Sequence, residues 1–156
     1  MRRRRCAPRC AAASGSRRRF NYTVIGDVVN LAARIEGANT SFGTAILASQ
    51  NTVALTGAEF AWREVFTVRV KGRVQTVDIY EPLAPAGRQT PEQAARAAAY
   101  AAGLAAWRRR DFVAAVDALA PIAEADPPAA RLLGRARALA LAPPGAEWSP
   151  LDGLDG

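Results

Sequence analysis

The sequence has no histidine, a single methionine and only two cysteines, Cys6 and Cys10. Structural zinc sites and cysteine-histidine catalytic pairs need these residue types together, so the composition excludes both kinds of site. Lysine is scarce as well, because Lys71 is the only one among 21 basic side chains. Both thiols lie in an arginine-rich segment, and we expect them to be reduced and incidental.

Acidic residues are absent from the first part of the chain, where Asp27 supplies the first carboxylate. The same stretch holds eight arginines: Arg2, Arg3, Arg4, Arg5, Arg9, Arg17, Arg18 and Arg19. They account for the whole net charge of +7, so the remaining residues are close to neutral. The alternatives are a basic arm that contacts nucleic acid, a solvated tail, and the product of a misplaced start codon or a frame disruption in a GC-rich gene. Because no aromatic residues are interleaved with these arginines, we predict an arginine-rich, disordered tail at residues 1–16 and no nucleic-acid partner.

Long apolar runs are missing too. No apolar core of signal-peptide length precedes Ser14, and no uninterrupted apolar span is long enough to cross a bilayer. We therefore expect no membrane segment in this chain and a cytoplasmic location.

A strand, a turn and a helix are predicted after the arginine-rich stretch. Residues 22–25 are aromatic and β-branched, as is typical of a short strand, and Gly26 interrupts the pattern. Asp27 is a good helix N-cap, and the helix is predicted to stop near Gly37. Apolar residues follow the cap at helical spacing: Val28, Leu31, Ala32 and Ile35.

Three polar residues of this predicted helix, Asp27, Asn30 and Arg34, stand at positions i, i+3 and i+7 and share one face. A helix N-terminus with an arginine two turns further on suits a ligand that carries phosphate. The alternative is that Asp27 only caps the helix, Asn30 fills a polar surface position and Arg34 is a solvated charge.

The stretch YTVIGDVVNLAARIE at residues 22–36 closely resembles the catalytic domain of class III adenylate and guanylate cyclases. Three later stretches resemble parts of the same domain. Residues 42–49 resemble its next strand and helix start, and residues 66–73 and 77–81 resemble its closing strands. The resemblance covers about residues 15–83, and several motifs recur in the same order as in the family.

The resemblance implies a reaction in which the 3′-hydroxyl of ATP attacks its own α-phosphate. The products are 3′,5′-cyclic AMP, a signalling molecule, and pyrophosphate, and the family's cofactors are Mg²⁺ or Mn²⁺. By position, Arg34 would neutralise charge on the α-phosphoryl group and Asn30 would orient the ribose. Lys71 would hold the terminal phosphates and Thr23 would bond to the adenine edge. A threonine there is similar to the bacterial branch that uses ATP.

The resemblance also implies that this sequence does not contain the first half of the catalytic domain. The family's two metal-binding aspartates lie in the first half of its catalytic domain, and no equivalent precedes Asn21 in this sequence. We therefore interpret residues 17–83 as the C-terminal half of a cyclase catalytic domain, which we expect to be inactive alone. Because the family's site lies between two catalytic domains, the expected partner is another cyclase domain, in a homodimer or a heterodimer. The alternative is a non-catalytic regulatory or protein-interaction module.

A second region, at residues 90–142, follows a linker at residues 84–89. Thr90 is predicted to cap a helix, and the alanine-rich sequence beyond it is predicted to form three helices. The pattern around Tyr100, Trp107 and Phe112 resembles a degenerate tetratricopeptide hairpin. Such a region either docks a partner or caps the preceding domain, and we favour a cap with these aromatic residues in its core. Residues 143–156 are expected to fray.

The expected fold class is therefore α+β. It combines a partial ferredoxin-like cyclase catalytic domain, in which helices pack on an antiparallel sheet, with a C-terminal α-helical hairpin region. Because strands of the full family sheet are missing from residues 17–83, we expect exposed sheet edges and marginal stability.

Overall fold

The computed structural model describes residues 11–14, 21–24, 27–70 and 76–154. Within these ranges the strands are β1 Ala11–Ser14, β2 Asn21–Val24, β3 Ala48–Ser49, β4 Phe60–Val70, β5 Thr76–Pro85 and β6 Asp152–Leu154. The helices are α1 Asp27–Phe42, α2 Gln50–Thr56, α3 Pro91–Arg108, α4 Phe112–Leu119 and α5 Pro127–Leu141. Strands dominate the first part and helices the second, so the prediction of an α+β fold is confirmed.

The described strands form two sheets. β1 and β2 make an antiparallel pair, and the larger sheet has the order β3-β5-β4-β6. β3 and β4 both pair antiparallel with β5, whereas β6 pairs parallel with residues 68–70 of β4. This antiparallel β3-β5-β4 sheet with helices packed against it is compatible with a partial cyclase-like domain.

Helix α1 is longer than the sequence analysis predicted. It runs past Gly37 to Phe42, so the predicted stop near Gly37 is wrong. The reason is that Ala38 and Phe42 continue the buried stripe begun by Ile35, and their burial outweighs the low helix propensity of one glycine. The helix ends instead at Gly43, whose φ of +67° is a left-handed conformation that favours glycine.

The C-terminal helices and the larger sheet share one hydrophobic core. Tyr100, Trp107 and Phe112 are buried, which confirms that these aromatic residues belong to a core. Members of that core come from α1, β4, β5, α3, α4 and α5, for example Ile35, Val68, Ile79, Leu104, Leu119 and Leu132. The helical region therefore caps the sheet with its own apolar stripes, which is the arrangement favoured by the sequence analysis.

An aromatic cluster ties the end of the chain to this core. The Trp107 ring lies 5.2 Å from that of Trp148, and its Nε1–H donates to the Pro150 carbonyl oxygen at 3.1 Å. Phe112 completes the group, with its ring 5.3 Å from Trp148. These contacts and the pairing of β6 with β4 attach part of the segment at residues 143–156, which was expected to fray, to the rest of the fold. A lone tryptophan in a proline-rich tail gave no sequence signal for this packing.

A β-bulge in β4 accepts a hydrogen bond from a side chain of α3. Glu64 pairs with Tyr80 and Phe66 pairs with Ile79, so Val65 is an extra residue on its strand. The buried Tyr100 hydroxyl of α3 donates to the Val65 carbonyl oxygen at 2.7 Å. This bond fixes α3 against the sheet at a backbone group outside the regular ladder.

Replacing Tyr100 by phenylalanine should destabilise the protein by about 1–2 kcal/mol at neutral pH, because the Val65 carbonyl loses a buried donor. The variant should also be less sensitive to alkali. Burial raises the pKa of Tyr100 above its ordinary value of 10.0. Above pH 10 the unfolded chain loses this proton and the folded chain keeps it, so stability falls by up to about 1.4 kcal/mol per pH unit.

Urea unfolding between pH 7 and pH 11, followed by tryptophan fluorescence, checks both effects. The parent and Tyr100→Phe should differ most at pH 7 and converge as the pH rises above 10. Equal alkaline slopes in the two proteins would contradict the assignment of this titration to Tyr100.

Candidate functional site

Asn30 and Arg34 lie one helical turn apart on α1, separated by a rise of about 6 Å along its axis. Asn30 is exposed and Arg34 is half-buried. Both residues flank the stripe through which α1 packs on the core, and that stripe includes Ile35. The structure thus brings these two predicted site residues to one side of a helix whose buried residues are Ile35, Ala38 and Phe42. Asp27 begins the helix, and its side chain lies outside the described part of the structure.

The other two predicted site residues are less well defined. Thr23 lies on β2, where it is opposite Ala12 of β1, and its side chain is not described. Lys71 falls in the connection between β4 and β5, outside the described residues. Their roles as ligands of adenine and of the terminal phosphates therefore stay predictions.

A cleft of about 360 Å³ opens beside α1, between this helix and the segment of β3 and α2. Ala32, Glu36 and Asn39 of α1 line it. At about 100° per residue these three positions lie on the opposite flank of the buried stripe from Asn30 and Arg34. Neither Asn30 nor Arg34 lines the cleft, so these two residues face a different side of the described fold.

The clearest electrostatic feature was missed by the sequence analysis. Arg63 of β4, which is 8% exposed, lies between Glu81 of β5 and Asp126, which is 2% exposed. Its Nη2 and Nε donate to Glu81 Oε2 at 2.6 and 3.1 Å, and its Nη1 donates to Asp126 Oδ2. The guanidinium also lies 4.8 Å from the centroid of the Tyr100 ring.

The pKa of Arg63 reflects this environment. Burial alone would lower it, because the charged form loses its hydration. Hydrogen bonds and the opposite charges of Asp126 and Glu81 outweigh that effect, and the pKa rises above its ordinary value. Arg63 is therefore a fixed cation with two carboxylate partners, the pattern of a structural charge network.

A cavity of about 240 Å³ adjoins this network and is also lined by Arg96. Arg96 Nη2 donates to Glu92 at 2.8 Å and its Nη1 donates to the Ala125 carbonyl oxygen at 3.2 Å. Both arginines at this cavity are paired with carboxylates, so the cavity has no excess of positive charge from them to attract an anion. We assign it no ligand.

The chain is similar to three proteins named as adenylate cyclases. Adenylate cyclase 1 of Rhizobium meliloti is 43% identical over 67 residues, which is 43% of this chain and 10% of the relative. The terminal-differentiation-specific adenylate cyclase of Dictyostelium discoideum is 40% identical over 72 residues, covering 44% of this chain and 3% of the relative. The adenylate cyclase of Anabaena cylindrica is 39% identical over 66 residues, covering 40% of this chain and 13% of the relative.

These matches show that the chain contains an adenylate cyclase-related region. The chain spans about a tenth of the length of two of these relatives and less of the third. No protein-family model matches the chain, and no solved structure matches it significantly. Among the helices that the structure describes, none has the length and apolar character needed to cross a bilayer.

Proposed function

We propose that this chain supplies the Asn30 and Arg34 half of an adenylate cyclase site, which forms 3′,5′-cyclic AMP and pyrophosphate from ATP together with a second cyclase domain. The identity of 43% over 67 residues to a protein named adenylate cyclase is the observation that supports this most directly. The proposal places the cyclase-related region in the C-terminal half of a class III catalytic domain.

The arrangement of α1 supports this role. Its buried stripe fixes the helix on the core, while Asn30 is exposed and Arg34 is half-buried beside that stripe. Side chains held on a rigid helix can be placed accurately against a substrate. Neither residue lines the cleft beside α1, so that cleft is not the proposed ATP site.

Each proposed residue has a task suited to its chemistry. Arginine side chains offer several donors in a plane around a delocalised positive charge, so Arg34 suits a pentavalent phosphoryl group. Asn30 would hold the ribose so that the 3′-hydroxyl lies in line with the bond that breaks. Lys71 would bind the terminal phosphates as a point charge, and Thr23 would bond to the adenine edge.

The residues described here do not fit the metal ions that the reaction uses. Within the described ranges, no group of three or more histidine, cysteine, aspartate or glutamate side chains is placed to hold a metal. Mg²⁺ and Mn²⁺ prefer clustered carboxylate oxygens. We therefore assign the metals to the partner domain, and we expect this chain to be inactive alone.

Cyclic AMP formation from ATP and Mn²⁺ tests the proposal. The chain is assayed alone and mixed with a cyclase domain that keeps its metal-binding aspartates but lacks its own asparagine and arginine. We expect cyclic AMP only in the mixture. Activity of the chain alone would contradict the half-site, and no activity in either sample would favour a non-catalytic regulatory or interaction module.

A further inference from the structure

The start of α5 touches the end of α1. Gly43 packs so closely on Pro127 that a Cβ atom added to Gly43 would lie 2.5 Å from Pro127 Cβ. Next to this contact the Phe42 ring is buried, 6.1 Å from Phe66, and the guanidinium of Arg131 lies 4.9 Å from its centroid. Because Arg131 is one turn further along α5 than Pro127, two successive turns of that helix contact the C-terminal end of α1.

The same start of α5 is bonded directly to β4 and, through Arg63, to β5. Asp126 precedes the helix, accepts a hydrogen bond from Ala129 N–H at 3.2 Å through Oδ1, and accepts one from Arg63 of β4 through Oδ2. Arg63 in turn bonds to Glu81 of β5. Lys71 lies between these two strands in the sequence, outside the described residues.

We propose that Asp126 and Pro127 form a positioning junction, through which the helical region sets the placement of α1 relative to the β4 and β5 pair. The inference rests on the proposed function, because α1 carries Asn30 and Arg34. Arg34 lies about 14 Å along α1 from Gly43, so a small tilt at the junction displaces its guanidinium. A misplacement of about 1 Å can cost as much as 10²-fold in rate.

Gly43→Ala tests the junction, with Gly87→Ala as its matched control. Both glycines have positive φ, +67° and +71°, so both variants strain the backbone. Only Gly43 meets Pro127, since nothing lies within 4 Å of a Cβ added to Gly87. In the mixture with the metal-bearing domain, at equal concentrations of folded chain, Gly43→Ala should lower kcat about tenfold or more with little change in KM. Gly87→Ala should stay within about twofold of the parent.

Amide hydrogen exchange of the chain alone gives a readout that needs no activity. Gly43→Ala should raise exchange in residues 30–42 of α1 and leave α4 as protected as in the parent. If that variant does not fold, Asp126→Asn replaces it, because asparagine keeps the acceptor for Ala129 N–H and removes the charge that faces Arg63. Unchanged exchange in α1 in the folded variant would overturn the junction.

The turnover assay and the hydrogen-exchange measurement together distinguish failure of the junction from failure of the proposed function. If Arg34→Ala abolishes turnover but Gly43→Ala keeps the parent kcat, the junction does not position the site and the inference is wrong. If the parent mixture makes no cyclic AMP, the proposed function fails, and α1 exchange alone decides whether α5 holds α1.

Discussion

Replacing Asp126 by alanine should lower the free energy of unfolding by about 3–5 kcal/mol, which is a large part of the stability of an ordinary domain. The reason is that the buried positive charge of Arg63 would lose one of its two carboxylate partners. Arg63 is 8% exposed and would keep only Glu81, itself on the more open side of the network at 20% exposed. The substitution also removes the side-chain acceptor of Ala129 N–H at the start of α5. Urea unfolding followed by circular dichroism measures the loss.

Two comparison variants divide this effect into its parts. Asp126→Asn keeps a capping side chain but removes the charge, so its loss should be smaller than that of Asp126→Ala and should report mainly the broken ion pair. Asp117→Ala makes the same change at an exposed position of α4 and should stay within about 0.5 kcal/mol of the parent. If Asp126→Ala proved as mild as Asp117→Ala, the buried network would not stabilise the fold.

Local sequence patterns predicted the elements better than their ends or their contacts. The spacing of Leu31 and Ile35 indicated α1 correctly, because an apolar stripe is a property of one helix. The end of that helix was misplaced because Phe42 and Ala38 are buried by residues far along the chain. Gly43 ends α1 at the position where Pro127 lies against it, and no local rule gives a contact between residues so distant in sequence.

The charge network around Arg63 also depends on contacts between residues that are distant in the sequence. Asp126 before two prolines is a recognisable helix N-cap signal, and it marks the start of α5. The pairing of Asp126 with Arg63 depends on how α5 docks on β4, which sequence patterns do not specify. The candidate site residues Asn30 and Arg34 were found through a motif on a single helix, whereas Thr23 and Lys71 depend on geometry outside the described side chains.

Replacing Arg34 by alanine should lower cyclic AMP formation by about 10²–10³-fold when the chain is paired with a metal-bearing cyclase domain. In the proposed reaction, negative charge builds up on the α-phosphoryl group as the 3′-hydroxyl attacks it, and Arg34 is the cation assigned to that charge. The loss should appear mainly in kcat, because the interaction is stronger in the transition state than with bound ATP. Measuring the rate of the mixture at saturating ATP and Mn²⁺ isolates the change in kcat.

Arg34→Lys and Arg137→Ala make this prediction specific. Lysine keeps the charge but not the planar set of donors, so Arg34→Lys should recover only part of the rate. Arg137 is an exposed arginine of α5, and its replacement by alanine removes one positive charge far along the chain from the candidate site, so it should leave the rate within about twofold of the parent. Circular dichroism must show equal folding of all three variants, because Arg34 is half-buried and takes part in contacts within the fold. If folded Arg34→Ala turned over like the parent, its assignment to the α-phosphoryl group would be wrong, and cyclase activity in the mixture would have to depend on other residues.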